Sequence, residues 1–216
     1  VGHQRLDMVA KDSVGGELLG SPLLCLSRFD SPLADKWQAT QIDRLTPTER
    51  TRLARIDRPL RREQFVLGHS TLRWVLAAAG FDDAVIEVAA DGQVLLHASV
   101  PVYASIAHSA NSVAVVVAGA RVGVDLESMR PVRDTRAAAA MLGLAEGTHD
   151  TASVLRAWVV AEARLKAGPQ AHAQVWRSTW DRCQLAVAGT ANPPITGVFD
   201  AITGTYNTAE LQWEAV

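Results

Sequence analysis

Val113 to Ala120 is an unbroken apolar run of eight residues, and no such run in the chain exceeds nine. A membrane-crossing helix needs about 20, so this run has the length of a buried strand and no membrane span is expected. With 216 residues, 48% of them apolar, the chain can bury a sizeable core as one compact unit. The composition excludes a wholly disordered chain. A net charge of −2 argues against a nucleic-acid binder, which is normally basic. Cys25 and Cys183 are too few for a disulfide framework and read as reduced thiols of a cytoplasmic protein. Arg5, Asp7 and Lys11 interrupt the first residues, and no signal-peptide core is evident there.

Residues 1–44 read as short strands and loops, with Leu23–Leu26 a buried strand before an Asp30-Ser31-Pro32 turn. Thr46, Pro47 and Glu49 form a capping box with proline at the first helical position, and Pro59 is expected to end that helix. A second helix from Arg61 carries Phe65, Leu72, Val75, Leu76 and Ala79 as its stripe. Gly68 within it marks a close approach, and Gly80 follows the end. Val85–Val88 and Val94–Leu96 flank Asp91-Gly92 as a hairpin. Strands follow at Ser105–Ala107, Val113–Val117 and Val122–Leu126, the last two joined by a tight turn at 118–121. Helices are expected through Ala137–Ala140 and over Ala152–Ala167, the latter stopped by Gly168-Pro169. Gln184–Ala188, Ile195–Phe199 and Glu210–Trp213 read as strands. The pattern predicts an α+β fold.

Four features bear on chemistry. In Gly123-Val124-Asp125-Leu126-Glu127 the strand period turns Asp125 and Glu127 to one face. Paired carboxylates repel unless a cation lies between them, and oxygen ligands suit Mg²⁺; a strand end dipping into solvent is the plainer account. Glu162 falls on a helical stripe with Leu155, Trp158 and Leu165, pointing it toward the core, and Lys166 follows one turn on. That pair suits metal binding, proton abstraction and charge stabilisation, or is a surface Glu–Lys pair. His108-Ser109 precedes a strand, and its imidazole is either structural or a phosphate donor. Arg50 to Arg62 holds six arginines in thirteen residues, either a solvated face or a phosphate grip. Of 21 basic residues only Lys11, Lys36 and Lys166 are lysine, so an ammonium at 166 suggests a specific need for a compact charge.

The order His108-Ser109, Gly123-x-Asp125-x-Glu127, then Trp158-x-x-x-Glu162-x-x-x-Lys166 resembles the 4′-phosphopantetheinyl transferases of the type that activates surfactin synthetase. Leu45-Thr46-Pro47-Thr48-Glu49-Arg50 and Phe65-x-x-Gly68-x-x-x-Leu72-Arg73 are similar to that family's first half, so the likeness spans about residues 45–170. The resemblance implies a pseudo-twofold pair of α+β halves, about 1–119 and 120–216, with coenzyme A between them. It implies transfer of the phosphopantetheine arm to a serine of an apo acyl or peptidyl carrier protein, releasing 3′,5′-ADP. Asp125, Glu127 and Glu162 would hold Mg²⁺. Glu162 would be the base, Lys166 would stabilise charge on the moving phosphate, and His108, Ser109, Arg52 and Lys166 would contact coenzyme A. A monomer is expected. Ala161, Ala107, Gln93 and Gln64 depart from the family's usual lysine, serine, lysine and arginine. A coenzyme A- or carrier-binding protein with weakened transfer is the alternative those departures motivate.

Overall fold

Side-chain alternation along the strands sets the layers of this molecule. The computed structural model describes residues 21–29, 32–200 and 205–216. Its strands are β1 (Leu23–Arg28), β2 (Val85–Val88), β3 (Val94–His97), β4 (Tyr103–Ser109), β5 (Ser112–Ala118), β6 (Gly123–Ser128), β7 (His172–Trp180), β8 (Cys183–Gly189), β9 (Ile195–Asp200), β10 (Thr205–Thr208) and β11 (Glu214–Ala215). Its helices are α1 (Asp35–Asp43), α2 (Pro47–Ala54), α3 (Pro59–Ala78), α4 (Thr135–Met141) and α5 (Thr151–Ala167). The chain is therefore α+β. One sheet has the order β10-β9-β1-β5-β4, a second β11-β7-β8-β6, and β2-β3 stand apart as a hairpin.

Val113, Val115 and Val117 of β5, with Cys25 of β1, meet Leu67, Leu72, Val75 and Leu76 of α3. The alternate residues Ala114, Val116, Leu24 and Leu26 turn the other way, onto Val124 and Leu126 of β6 and Leu185 and Val187 of β8. Behind the second sheet, Ala186, Ala188 and Val175 meet Val159, Ala163 and Ala167 of α5. The order of layers is thus helix α3, first sheet, second sheet, helix α5. β5 is buried throughout, which explains why its sequence lacks any polar alternation. Among the described residues no helix is long and apolar enough to cross a membrane. Both cysteines are buried and unpaired, and burial pushes both thiols above their ordinary range.

Most expected elements are present, and several boundaries are corrected. α2 ends at Ala54, and Pro59 does not terminate it but opens α3 at the first helical position. Gly80, at φ +83°, follows the α3 cap as expected. Gly68 lies where an added Cβ would come 3.0 Å from Ile106 Cγ2. Helix α1 sits within a stretch read as strands and loops; it buries none of its own residues, so it shows no apolar stripe. Residues 210–213 are irregular, and the edge strand is β11 instead. The turn after β5 carries the chain from one sheet to the other, because β5 and β6 lie in different sheets. Asp30 and Ser31 of the expected turn, and residues 1–20, lie outside the described residues.

The capping box of α2 does more than start a helix. Thr46 Oγ1 accepts from the Glu49 amide, while Glu49 Oε2 accepts from the Thr46 amide at 2.6 Å. The Glu49 side chain is fully buried, with Oε1 2.6 Å from His69 Nδ1 and Oε2 against the Arg73 guanidinium. Burial alone would raise its pKa, but the His69 and Arg73 hydrogen bonds outweigh it and pull the carboxyl from 4.5 down to about 2. Between those values the unfolded chain binds a proton that the folded chain does not, so this contribution is whole above about pH 4.5 and fades toward pH 2. Glu49→Gln is expected to cost about 2–3 kcal/mol at pH 7, because it strips the Arg73 guanidinium of its counter-charge and the buried His69 ring of its carboxylate partner. Urea unfolding of both proteins at pH 7, 4 and 3 checks this; the gap should narrow as pH falls.

Candidate functional site

Gly123 determines how closely α5 approaches the second sheet. A Cβ there would overlap the Ala163 carbonyl oxygen and sit 2.5 Å from the Ala167 amide nitrogen and 3.0 Å from Lys166 Cβ. The absent side chain lets the α5 backbone lie directly on β6. The buried stripe of α5 runs through Leu155, Val159, Ala163 and Ala167. The expected stripe is therefore rotated: Leu155 is buried, Trp158 and Glu162 are half-buried, and Leu165 is 73% exposed. Small residues at 163 and 167 let the helix settle on that face, which turns Leu165 outward.

This docking brings Lys166 onto β6. Its Nζ donates to Asp125 Oδ1 at 2.6 Å and to the Val124 carbonyl at 3.1 Å. Asp125 is 7% exposed, and its Oδ2 is buried without a hydrogen-bond partner among the described residues. Two positions along the same face, Glu127 Oε2 accepts from Ser109 Oγ at 3.0 Å and lies 3.6 Å from Arg130 Nε. Ser109 Oγ also accepts from the Ser128 amide at 2.9 Å, so this hydroxyl ties the β4–β5 hairpin to β6. Glu162, one turn before Lys166, makes no hydrogen bond or ion pair with a described residue. Asp125 and Glu127 do share a face, but no three His, Cys, Asp or Glu side chains are gathered as a metal site among the described residues. The side chains expected at a metal offer oxygen donors, the kind a hard cation takes, and among them Asp125 Oδ2 is buried with no hydrogen-bond partner among the described residues.

Beside this pair lies a cleft of about 590 Å³, with α2, α3 and β4 on one side and the C-terminal end of α5 on the other. Three of the four residues expected to contact coenzyme A line it: Arg52, His108 and Lys166. Arg52 lies over the β2–β3 turn, where a Cβ on Gly92 would come 3.1 Å from Arg52 Nη2. Gly92 has φ +94°, a conformation glycine adopts without strain. The Arg61 guanidinium sits against the His108 imidazole. Burial first, then the charges of Arg61 and Lys166, push the His108 pKa down to about 4. At neutral pH the ring is therefore uncharged, able to donate one N–H but not to act as a cation. Phe65 and His69, stacked with centroids 4.1 Å apart, complete part of the wall.

No protein-family model matches the chain, and no curated protein matches it. The site must therefore be judged on its own geometry. A larger recess, about 980 Å³, lies between α5, β7, β8 and residues 210–216; its walls mix Arg156, Arg164 and Arg177 with Glu210 and Glu214. None of the expected site residues lines it, and its charges largely offset one another. The smaller cleft has Arg52, Arg61 and Lys166 against Asp91 alone. Sequence reasoning had Arg61 only as one arginine in a cluster and Gln64 only as a departure. Their three-residue spacing, which places both on one face of α3, was the available signal.

Proposed function

We propose that this chain transfers the 4′-phosphopantetheine arm of coenzyme A to a serine of an apo acyl or peptidyl carrier protein, releasing 3′,5′-ADP. The observation that carries the reading is one cationic cleft shared by Arg52, His108 and Lys166, with the acidic face of β6 beside it. Phosphoryl transfer asks for positioning and charge neutralisation more than for covalent participation, and those are the parts assembled here. The two sheets, each backed by a long helix, are compatible with the pseudo-twofold α+β halves that the resemblance implies.

In this mechanism Arg52 and the His108 N–H hold the nucleotide phosphates, with Ser109 keeping the β4–β5 hairpin against β6. Asp125, Glu127 and Glu162 would hold Mg²⁺, which when bound neutralises pyrophosphate charge and polarises its oxygens. Glu162 takes the serine proton, directly or through water, as the serine oxygen bonds to phosphorus and the bond to the 3′,5′-ADP oxygen breaks. Lys166 supplies positive charge to the phosphate oxygens as that charge develops. The working form is a cytoplasmic monomer whose partners are coenzyme A and the apo carrier, with no part for nucleic acid or membrane.

One observation favours a second reading, a coenzyme A- or carrier-binding protein with little transfer: Lys166 is seated on Asp125, and no three-carboxylate site is gathered among the described residues. Incubating the protein with coenzyme A, Mg²⁺ and several apo carriers, then weighing the intact carriers, separates the two. The expected result is a phosphopantetheine mass increment that disappears in Asp125→Ala and Glu162→Ala. Coenzyme A binding with no increment on any carrier would establish the second reading.

A further inference from the structure

We infer that Arg61, positioned by Gln64, is an anion-binding residue of the cleft and grips a phosphate of a pyrophosphate ester together with Lys166. The ligand class rests on the reading above; the anion site itself is argued from the arrangement of charge.

Arg61 lies in the first turn of α3 and lines the cleft. Its Nη1 donates to Gln64 Oε1 at 2.9 Å, and Gln64 Nε2 donates to the Ala110 carbonyl at 2.6 Å. Gln64 is buried, so its two bonds are both needed and fix its amide. Ala110 sits in the β4–β5 turn at φ +47°, a left-handed conformation that is strained for an alanine. Gln64 thereby links the guanidinium to the hairpin that carries His108. One side of the fork is occupied by Gln64 and His108, and a guanidinium has five donors, so others remain for a ligand.

The charge balance points the same way. Neither Arg52 nor Arg61 forms an ion pair with a carboxylate among the described residues. Asp91, the acidic side chain of the cleft, accepts instead from the Gln93 amide at 2.9 Å. Burial, then repulsion from Arg52 and Arg58, lowers the Arg61 pKa. Mutually repelling guanidinium groups facing one cleft are stabilised by an anion that bridges them. Arg58, at the N-cap of α3, makes no side-chain cap, so the helix end adds its own positive potential. Lys166, on the opposite wall, has its charge partly balanced by Asp125, which leaves the arginine side as the stronger attraction.

The test is calorimetric titration of inorganic pyrophosphate into the full chain with chelator present and no divalent metal. Arg61→Ala should weaken binding tenfold or more, and Arg61→Lys, which lacks the fork, should fall between. Arg164→Ala, an exposed arginine outside the cleft, should bind as the parent does. Gln64→Met should weaken binding several-fold in the parent and have little further effect on Arg61→Ala, as expected of a residue acting through another. Parent-like affinity in Arg61→Ala, an equal loss in Arg164→Ala, or no pyrophosphate binding by the parent would overturn the inference. So would a Gln64→Met loss that persists undiminished without Arg61. Arg61-dependent pyrophosphate binding without any carrier mass increment leaves this site standing and removes the transferase. A retained increment with unchanged coenzyme A affinity in Arg61→Ala does the reverse.

Discussion

Gly123→Val is expected to destabilise the protein by about 4 kcal/mol or more, enough to unfold a large fraction of it at 37 °C. The usual penalty for overfilling a core is about 1–3 kcal/mol, because neighbouring side chains can shift. Here the obstacles are the Ala163 carbonyl oxygen and the Ala167 amide nitrogen, backbone atoms of a helix that must move as a body. Moving α5 also lifts Lys166 from Asp125 and separates Val159, Ala163 and Ala167 from the second sheet. Differential scanning calorimetry would show the loss as a fall in Tm of about 8–16 °C or more. Gly68→Ala is the useful comparison: its new Cβ meets only side-chain atoms, Ile106 Cγ2 at 3.0 Å, which can turn aside, and Val113 Cγ1 at an ordinary 3.5 Å. A parent-like Tm for Gly123→Val would mean that α5 does not lie on β6 as described.

Lys166→Ala should lower kcat for carrier modification about 100-fold while changing KM for coenzyme A much less, a barrier increase of about 2.7 kcal/mol. The ammonium sits at the boundary of two environments: it holds Asp125 at 2.6 Å and also faces the cleft. A phosphate oxygen gaining charge during transfer would draw on that second aspect, and the effect belongs to the transition state. Initial rates at saturating coenzyme A, followed by the carrier mass shift, give the number. Lys166→Arg makes the control sharper. It keeps the charge that balances Asp125 but replaces a compact ammonium with a planar fork, so stability should recover while turnover stays low. Full turnover in Lys166→Ala would reduce this residue to a counter-ion for Asp125.

What could be read in the sequence followed the range over which each force acts. The α2 capping box involves neighbours three apart and was legible at Thr46 and Glu49, as was the period that puts Asp125 and Glu127 on one face. β5 announced itself because both of its faces are covered. β7 did not: it mixes Gln174, Arg177 and Ser178 with Val175 and is only partly covered, so no alternation shows. Glu49 was legible as a cap but not as a buried anion, since His69 and Arg73 reach it from the next helix. The rotation of α5 was hidden for the same reason. A helical wheel ranks Leu165 above Ala163, but it carries no information about the glycine on the opposing strand. Local pattern singled out His108 and Lys166 separately; only the family resemblance grouped them with Arg52 around one ligand, and tertiary packing puts all three around one cleft.

β9 pairs in parallel with β1, register Leu23 to Ile195, and β10 extends that sheet from the outer edge of β9. During synthesis on the ribosome, β1 emerges long before the strand that will cover its flank. Until residues 195–200 arrive, that flank carries unsatisfied amides and carbonyls beside the apolar Leu24 and Leu26. A nascent chain stalled between β5 and β9 therefore exposes an adhesive border, and completion of the first sheet must wait until β9 and β10 have been made.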